Sequence, residues 1–232
     1  MVELKNTTEK LECIQKEYMK NKKVILSDVW TDESASLLHE AIENKTSFLN
    51  AFAIDGKYIQ SSDRELGNMT TEEKRELQRT IYKDASNGIG FFYGRHNINK
   101  NTEFSLYKAL FNYLNSDVCL NFIRQITGNE NVISASVQVT RYISGNFLTR
   151  HNDVLPSEGR AIAYVFGFTP NWHPDWGGLL HFFNAEGGMV DTFFPKNNTL
   201  SLFDVNLPHS VSYVTPFAKY PRYSITGWFN VI

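Results

Sequence analysis

Residues 131–142 read N-V-I-S-A-S-V-Q-V-T-R-Y, and their texture decides the fold class. The stretch is rich in β-branched residues and alternates with period two, which suits an extended strand with two distinct faces. Five similar short runs follow at 160–168, 179–184, 199–204, 209–215 and 222–230. Turn signals separate them: P-S-E-G, P-N-W-H-P-D-W-G-G, A-E-G-G, P-K-N-N and N-L-P. Closely spaced strands without intervening helices predict an antiparallel sandwich or barrel over residues 131–232.

Upstream of residue 130 the pattern is mostly helical. S-D-V-W-T-D-E-S-A-S-L-L-H-E-A-I-E begins with cap-type residues and spaces its apolar side chains as a helix does. T-T-E-E-K-R-E-L-Q-R-T-I-Y-K-D carries a Thr-x-x-Glu capping signal at Thr70 to Glu73, or one residue later. Two more amphipathic helices are predicted in E-F-S-L-Y-K-A-L-F-N-Y-L-N-S and V-C-L-N-F-I-R-Q-I-T-G-N, the second stopped near Gly128. No flexible linker divides the halves. The expectation is therefore one domain over 1–232, mainly β, with residues 1–130 as helical support.

Composition narrows the functional classes. A net charge of −2 gives no electrostatic reason for a nucleic-acid partner. Cys13 and Cys119 have neither metal-type nor redox spacing. No apolar run approaches the roughly 20 residues that span a membrane. The N-terminal M-V-E-L-K-N-T-T-E-K lacks the apolar core of a signal peptide, which predicts a cytoplasmic protein. Oligomeric state is left open.

Chemistry concentrates at His151-Asn152-Asp153. Residues i and i+2 of an extended chain share a face, so His151 and Asp153 would converge on one point, as a metal requires. The plainer alternative is a surface turn with both side chains solvated. A third ligand is therefore needed. His39 reads as a helix-surface residue, and His96 has no metal-type spacing. His173 lies in a loop whose two tryptophans suggest a lid, and His181 alternates within L-L-H-F-F as a hydrogen-bonded sheet residue. His209, after Pro208 and at the start of an alternating run, is the remaining candidate. Two imidazoles and a carboxylate with open positions suit non-haem Fe(II), though catalytic zinc uses similar ligands.

The last strand discriminates between them. P-R-Y-S-I-T-G-W-F places Arg222, Ser224, Thr226 and Trp228 on one face and Tyr223, Ile225 and Phe229 on the other. A buried arginine is costly without a partner, and the plainer alternative is an arginine at an exposed strand end bonded to a local Asp or Glu. The carboxylate of a bound acid would meet its planar fork in bidentate fashion, with Ser224 adding a hydroxyl.

With these residues in place, the sequence resembles the iron(II)- and 2-oxoglutarate-dependent dioxygenases, in their prolyl-4-hydroxylase-like branch. The resemblance runs through R-Y-I-S-G-N-F-L-T-R-H-N-D, G-G-L-L-H-F-F, L-P-H-S-V and R-Y-S-I-T-G-W-F, over about residues 136–230. It is similar to the catalytic domain of ribosomal-protein prolyl hydroxylases; the helical half matches only in general character. The resemblance implies a double-stranded β-helix, or jelly roll, buttressed by helices. It implies Fe(II) on His151, Asp153 and His209, and 2-oxoglutarate held by Arg222 and Ser224 and touched by Tyr142. Trp228 resembles an aromatic that lines the pocket. O2 is the oxidant and ascorbate an optional reductant; the co-substrate leaves as succinate and CO2. Asp153 implies hydroxylation, since halogenating relatives lack that carboxylate.

The implied substrate is a prolyl residue in a peptide or protein, or a small amino-acid-like molecule. Rim candidates are N-G-I-G-F-F-Y-G-R-H at 87–96 with Arg95, which could equally be an edge strand, V-L-P-S-E-G followed by Arg160, and W-H-P-D-W. Two rival readings remain. A zinc hydrolase on the same ligands leaves Arg222 unexplained and lacks an obvious general base. A non-catalytic jelly-roll binding module would bind no iron and turn over no 2-oxoglutarate.

Overall fold

A computed structural model of the chain describes residues 2–5 and 11–232. Met1 and residues 6–10, within the stretch read for a targeting signal, lie outside the described residues. The first half runs α1 (Leu11–Asn21), β1 (Lys23–Ser27), α2 (Asp32–Lys45), β2 (Leu49–Ile54), β3 (Lys57–Ser62), α3 (Asp63–Asn68), α4 (Thr71–Ser86), β4 (Phe91–Ile98), α5 (Ser105–Leu114) and α6 (Asp117–Thr127). The second half is strand after strand: β5 (Ser134–Ala135), β6 (Val137–Tyr142), β7 (Phe147–His151), β8 (Arg160–Gly167), β9 (Leu180–Phe183), β10 (Met189–Phe193), β11 (Thr199–Asp204), β12 (His209–Val211) and β13 (Arg222–Asn230). No described helix is long and apolar enough to cross a membrane.

The strands form one antiparallel sheet ordered β1-β11-β8-β13-β6-β4-β7-β12-β9-β10. It curls until its two ends approach, with Lys23 Nζ on β1 lying 3.1 Å from the Asp191 carboxylate on β10. The result is a nearly closed, jelly-roll-like barrel. Its outer face is covered by the helices: Leu38, Ile42, Leu110 and Ile123 pack on Val139, Ile225 and Phe229 in one buried core. A second core lies inside the barrel, around Tyr142, Leu180, Phe182 and Phe203. Strand β13 obeys the expected alternation, with Tyr223, Ile225 and Phe229 in the outer core and Arg222 and Ser224 buried on the other face.

The predicted helices form with their expected punctuation. Thr70 and Glu73 make a reciprocal capping box on α4, and Gly128 ends α6 in the left-handed region at φ 66°. The helical reading of residues 1–130 needs correction, because four strands of the sheet lie there. The β2–β3 hairpin turns at Asp55-Gly56, both with positive φ; this Asp-Gly signal was available in the sequence. The alternative of 87–96 as an edge strand is also corrected. Strand β4 is interior, pairing β6 through Gly94–Ile98 and β7 through Phe91 and Phe92. The first half therefore contributes strands to the barrel as well as support.

Candidate functional site

His151 ends β7, and His209 begins β12 directly opposite it, the two being cross-strand partners. Asp153 lies two residues beyond the strand, with its backbone N–H donating to the Val205 carbonyl at 2.9 Å. The three side chains meet. His151 Nε2 is 3.4 Å from one Asp153 oxygen, and His209 Nε2 is 3.4 Å from the other. All three ligand atoms fall within 4.8 Å of one another. Each imidazole is held the same way from behind, Nδ1 lying 3.0 Å from the Thr149 carbonyl in His151 and 2.9 Å from the Leu207 carbonyl in His209. A neutral ring that donates Nδ1–H to a carbonyl keeps its Nε2 lone pair for a metal.

The electrostatics suit a cation. Burial alone would raise the Asp153 carboxyl, but hydrogen bonds from His151 and His209 hold it well below the usual carboxylate range. Burial would lower His151, yet the Asp153 carboxylate raises it above its ordinary value. The site thus gathers an anion and two nitrogen donors where a divalent ion would replace protons. His209 and Asp153 are nearly buried, whereas the His151 side chain keeps 30% of its exposure. Solvent reaches the cluster from the His151 side.

That access is a cavity of about 620 Å³ inside the barrel, a size ordinary for small-molecule sites. His151, Asp153 and His209 line it together with Tyr142, Arg222 and Trp228. Arg222 is buried, and among the described residues its guanidinium has no hydrogen bond or carboxylate partner; its Nε is enclosed and unpaired. The guanidinium lies over the Tyr142 ring, 5.1 Å from its centroid. Burial presses the Arg222 pKa down, but a guanidinium stays charged. A buried, unpaired cation facing a cavity is an anion receptor waiting for its ligand.

The other predicted positions divide. Tyr142 is buried and stacks on Tyr93, ring centroids 5.2 Å apart, and burial raises its phenol so that it stays protonated. Ser224 is buried beside a small neighbouring void that Arg222 also lines, outside the main cavity. Trp228 lines the cavity beneath the Arg160 guanidinium, 3.5 Å from its ring centroid. His181 bonds Thr192 and His96 bonds the Ser47 carbonyl, both away from the cluster.

The W-H-P-D-W loop is not a lid. Trp172 and Trp176 are buried in the inner core, edge to face, with Trp172 Nε1 donating to the Gly177 carbonyl at 2.9 Å. Tyr93 was missed as a site residue, although alternation along Phe91, Tyr93 and Arg95 puts it on the cavity wall.

Comparisons with known proteins agree with this geometry. Residues 137–230 match the family model of the 2OG-Fe(II) oxygenase superfamily. Prolyl 3-hydroxylase OGFOD1 of Mus musculus is 29% identical over 115 residues, 47% of this chain and 21% of that protein, so the chain spans about a fifth of the curated relative's length. A prolyl-4-hydroxylase from Pseudomonas putida superposes with a TM-score of 0.64 at 18% identity, covering 95% of this chain and 99% of that one. A prolyl hydroxylase from Trichoplax adhaerens, solved with a hypoxia inducible factor peptide, does so at 0.63 and 20% identity, covering 97% and 94%. These two establish likeness of fold. The sequence match, the barrel and the clustered triad together liken residues 137–230 to the 2OG-Fe(II) oxygenase superfamily, whose members use Fe(II), 2-oxoglutarate and O2.

Proposed function

We propose that this chain is a hydroxylase that oxidises a prolyl residue or a related amino-acid substrate, releasing succinate and CO2. One observation carries the reading: the His151–Asp153–His209 cluster and the unpaired Arg222 guanidinium open on the same cavity. Fe(II) bound at the cluster, with 2-oxoglutarate and O2, would supply the oxidising equivalent for C–H hydroxylation. His151, Asp153 and His209 would hold the ion at the cavity wall. Arg222 would receive the distal carboxylate of the co-substrate through two charge-assisted hydrogen bonds, with the Tyr142 hydroxyl beside it. Ser224, buried beside a small void that Arg222 also lines, would add its hydroxyl to the surroundings of that guanidinium. A prolyl substrate is favoured by the names of the relatives in sequence and fold.

The zinc-hydrolase alternative is disfavoured because Asp153 is the only carboxylate lining the cavity, among the described residues, and it belongs to the metal cluster. No second acid is available as general base. The decisive assay incubates purified protein with 2-oxoglutarate, O2 and either Fe(II) or Zn(II). Succinate formed with Fe(II) alone is the expected result; none with either metal refutes the proposal.

A further inference from the structure

One segment of the cavity wall is bonded directly to the frame of the metal cluster. Between α4 and β4 the chain runs Asn87-Gly88-Ile89-Gly90, and Gly88, Ile89 and Gly90 line the cavity. Gly88 and Gly90 have φ of 78° and 141°, conformations that other residues rarely adopt. Ile89 between them is 62% exposed, which puts this segment at the cavity's mouth. A short run with two such glycines and an exposed apolar side chain draws its order from its anchors.

The anchors lie at both ends. On the α4 side, Gly88 N–H donates to the Ala85 carbonyl at 2.9 Å and Ile89 N–H to the Asp84 carbonyl at 3.2 Å. The Asp84 carboxylate in turn accepts from the Asp55 N–H at 2.9 Å, in the β2–β3 turn. On the β4 side, the Gly90 carbonyl accepts twice from Thr149, from its N–H at 3.0 Å and its hydroxyl at 2.8 Å. The pairing of Phe91 with Leu148 runs on into this contact, so the β4–β7 ladder fixes its register.

Thr149 also reaches the cluster, because its own carbonyl lies 3.0 Å from His151 Nδ1. One residue therefore holds the mouth with its N–H and hydroxyl, and a metal ligand with its carbonyl. His209 gives the contrast. Its Nδ1 faces the Leu207 carbonyl at 2.9 Å, and Leu207 N–H donates to the Asp204 carbonyl at 3.0 Å, within the same turn. Of the two imidazole supports, the one behind His151 leads to the mouth.

We infer that Thr149 is a positioning residue that couples metal ligation by His151 to the order of the mouth segment 87–90. The inference rests on the metal site of the oxygenase reading and deepens it. Ligation through Nε2 leaves the ring proton on Nδ1, so the ligating ring donates to the Thr149 carbonyl and fixes that stretch of backbone. A fixed Thr149 keeps its N–H and hydroxyl on the Gly90 carbonyl. By linkage, an ordered mouth favours the ion as much as the ion favours an ordered mouth.

The test follows amide hydrogen exchange of residues 84–92 by mass spectrometry in the full chain, with and without Fe(II) under anaerobic conditions, and measures Fe(II) affinity alongside. In the wild type Fe(II) slows exchange in that segment by about fivefold or more. Thr149→Val keeps the side chain's size and loses its hydroxyl. It weakens Fe(II) binding by about tenfold, the lower end of the range for an outer partner, and brings the slowing towards one. Thr149→Ser restores both, which a role in packing alone would not produce. Asp84→Ala frees the α4 anchor and weakens Fe(II) binding in the wild type but not in Thr149→Val. Should Thr149→Val fail to fold, Asp84→Ala decides alone, and wild-type affinity in it overturns the inference. Exchange indifferent to bound Fe(II) in the wild type also overturns it, as does undiminished slowing in Thr149→Val. A wild type that binds no Fe(II) refutes the oxygenase reading itself, so the affinity measurement separates the two failures.

Discussion

His151 and His209 face each other across the β7–β12 ladder, with ring centroids 4.2 Å apart and each Nδ1 directed at the carbonyl two residues before it. Repeating one local device on two strands aims both Nε2 atoms at opposite oxygens of Asp153. Chain segments far apart in sequence are therefore registered by backbone pairing. The site is preorganised by the sheet.

Removing a ligand should therefore empty the site without unfolding the barrel. His151→Ala, Asp153→Ala and His209→Ala are each expected to weaken iron binding beyond the roughly 10–100-fold typical of losing an outer partner. His181→Ala and His173→Ala should retain iron. Metal content after gel filtration measures this, and full occupancy in His209→Ala would remove that residue from the ligand set.

Arg222 should behave oppositely in stability and in binding. Its charge is buried without a partner, so Arg222→Met is expected to raise the melting temperature of the ligand-free protein, by up to about 1–4 kcal/mol of stability. The same change should weaken 2-oxoglutarate binding by roughly 2–5 kcal/mol, or about 30-fold to several thousand-fold. Arg222→Lys should fall between wild type and Met in affinity. Differential scanning calorimetry with and without 2-oxoglutarate reads both effects, and an unchanged affinity would contradict the receptor role.

A pH-dependent contact ties α3 to the sheet. Arg141 donates to both Asp63 oxygens, at 3.0 and 2.6 Å, and Asn50 adds a third hydrogen bond at 2.7 Å. Arg141 holds the Asp63 carboxyl below its ordinary value, against the opposing effect of burial. The folded state thus binds that proton less readily than the unfolded chain. The stability is fully present above the unfolded carboxyl range and is lost as pH falls through the lowered folded value. Because Asp63 is half exposed, about 0.5–1 kcal/mol is expected. Asp63→Asn should lower the melting temperature at neutral pH and converge with wild type in acid.

The halves should not separate. A fragment of residues 131–232 lacks β4, which stands between β6 and β7, and the helices that cover Ile225 and Phe229. It is expected to be insoluble or molten, without a cooperative thermal transition. A sharp melting curve from that fragment would demonstrate an independent domain.

Legibility followed locality. Strand β13 announced its two faces through alternation from Arg222 to Phe229, and α4 announced its start through Thr70 and Glu73. His151 and Asp153 could be paired from spacing alone, whereas His209 had to be found by elimination, since its partnership with His151 is made by register. Strand β4 resisted because its neighbours β6 and β7 lie later in the chain, so nothing nearby marks it as interior. The tryptophans of W-H-P-D-W misled for a related reason: turn residues surround them, but tertiary packing on Val214 buries both.

The order of synthesis runs against the order of the sheet. Strand β13, made after the other described strands, lies between β8 and β6, and β4 must wait for β6 and β7, which flank it and follow it in the chain. Such non-local pairing is slow and leaves strand edges exposed in the meantime. A ribosome stalling before residue 222 would release a chain already carrying His151, Asp153 and His209, yet with β6 and β8 unpaired along apolar edges. Truncated products should therefore be cleared as aggregation-prone chains, and partial activity should never accompany partial synthesis.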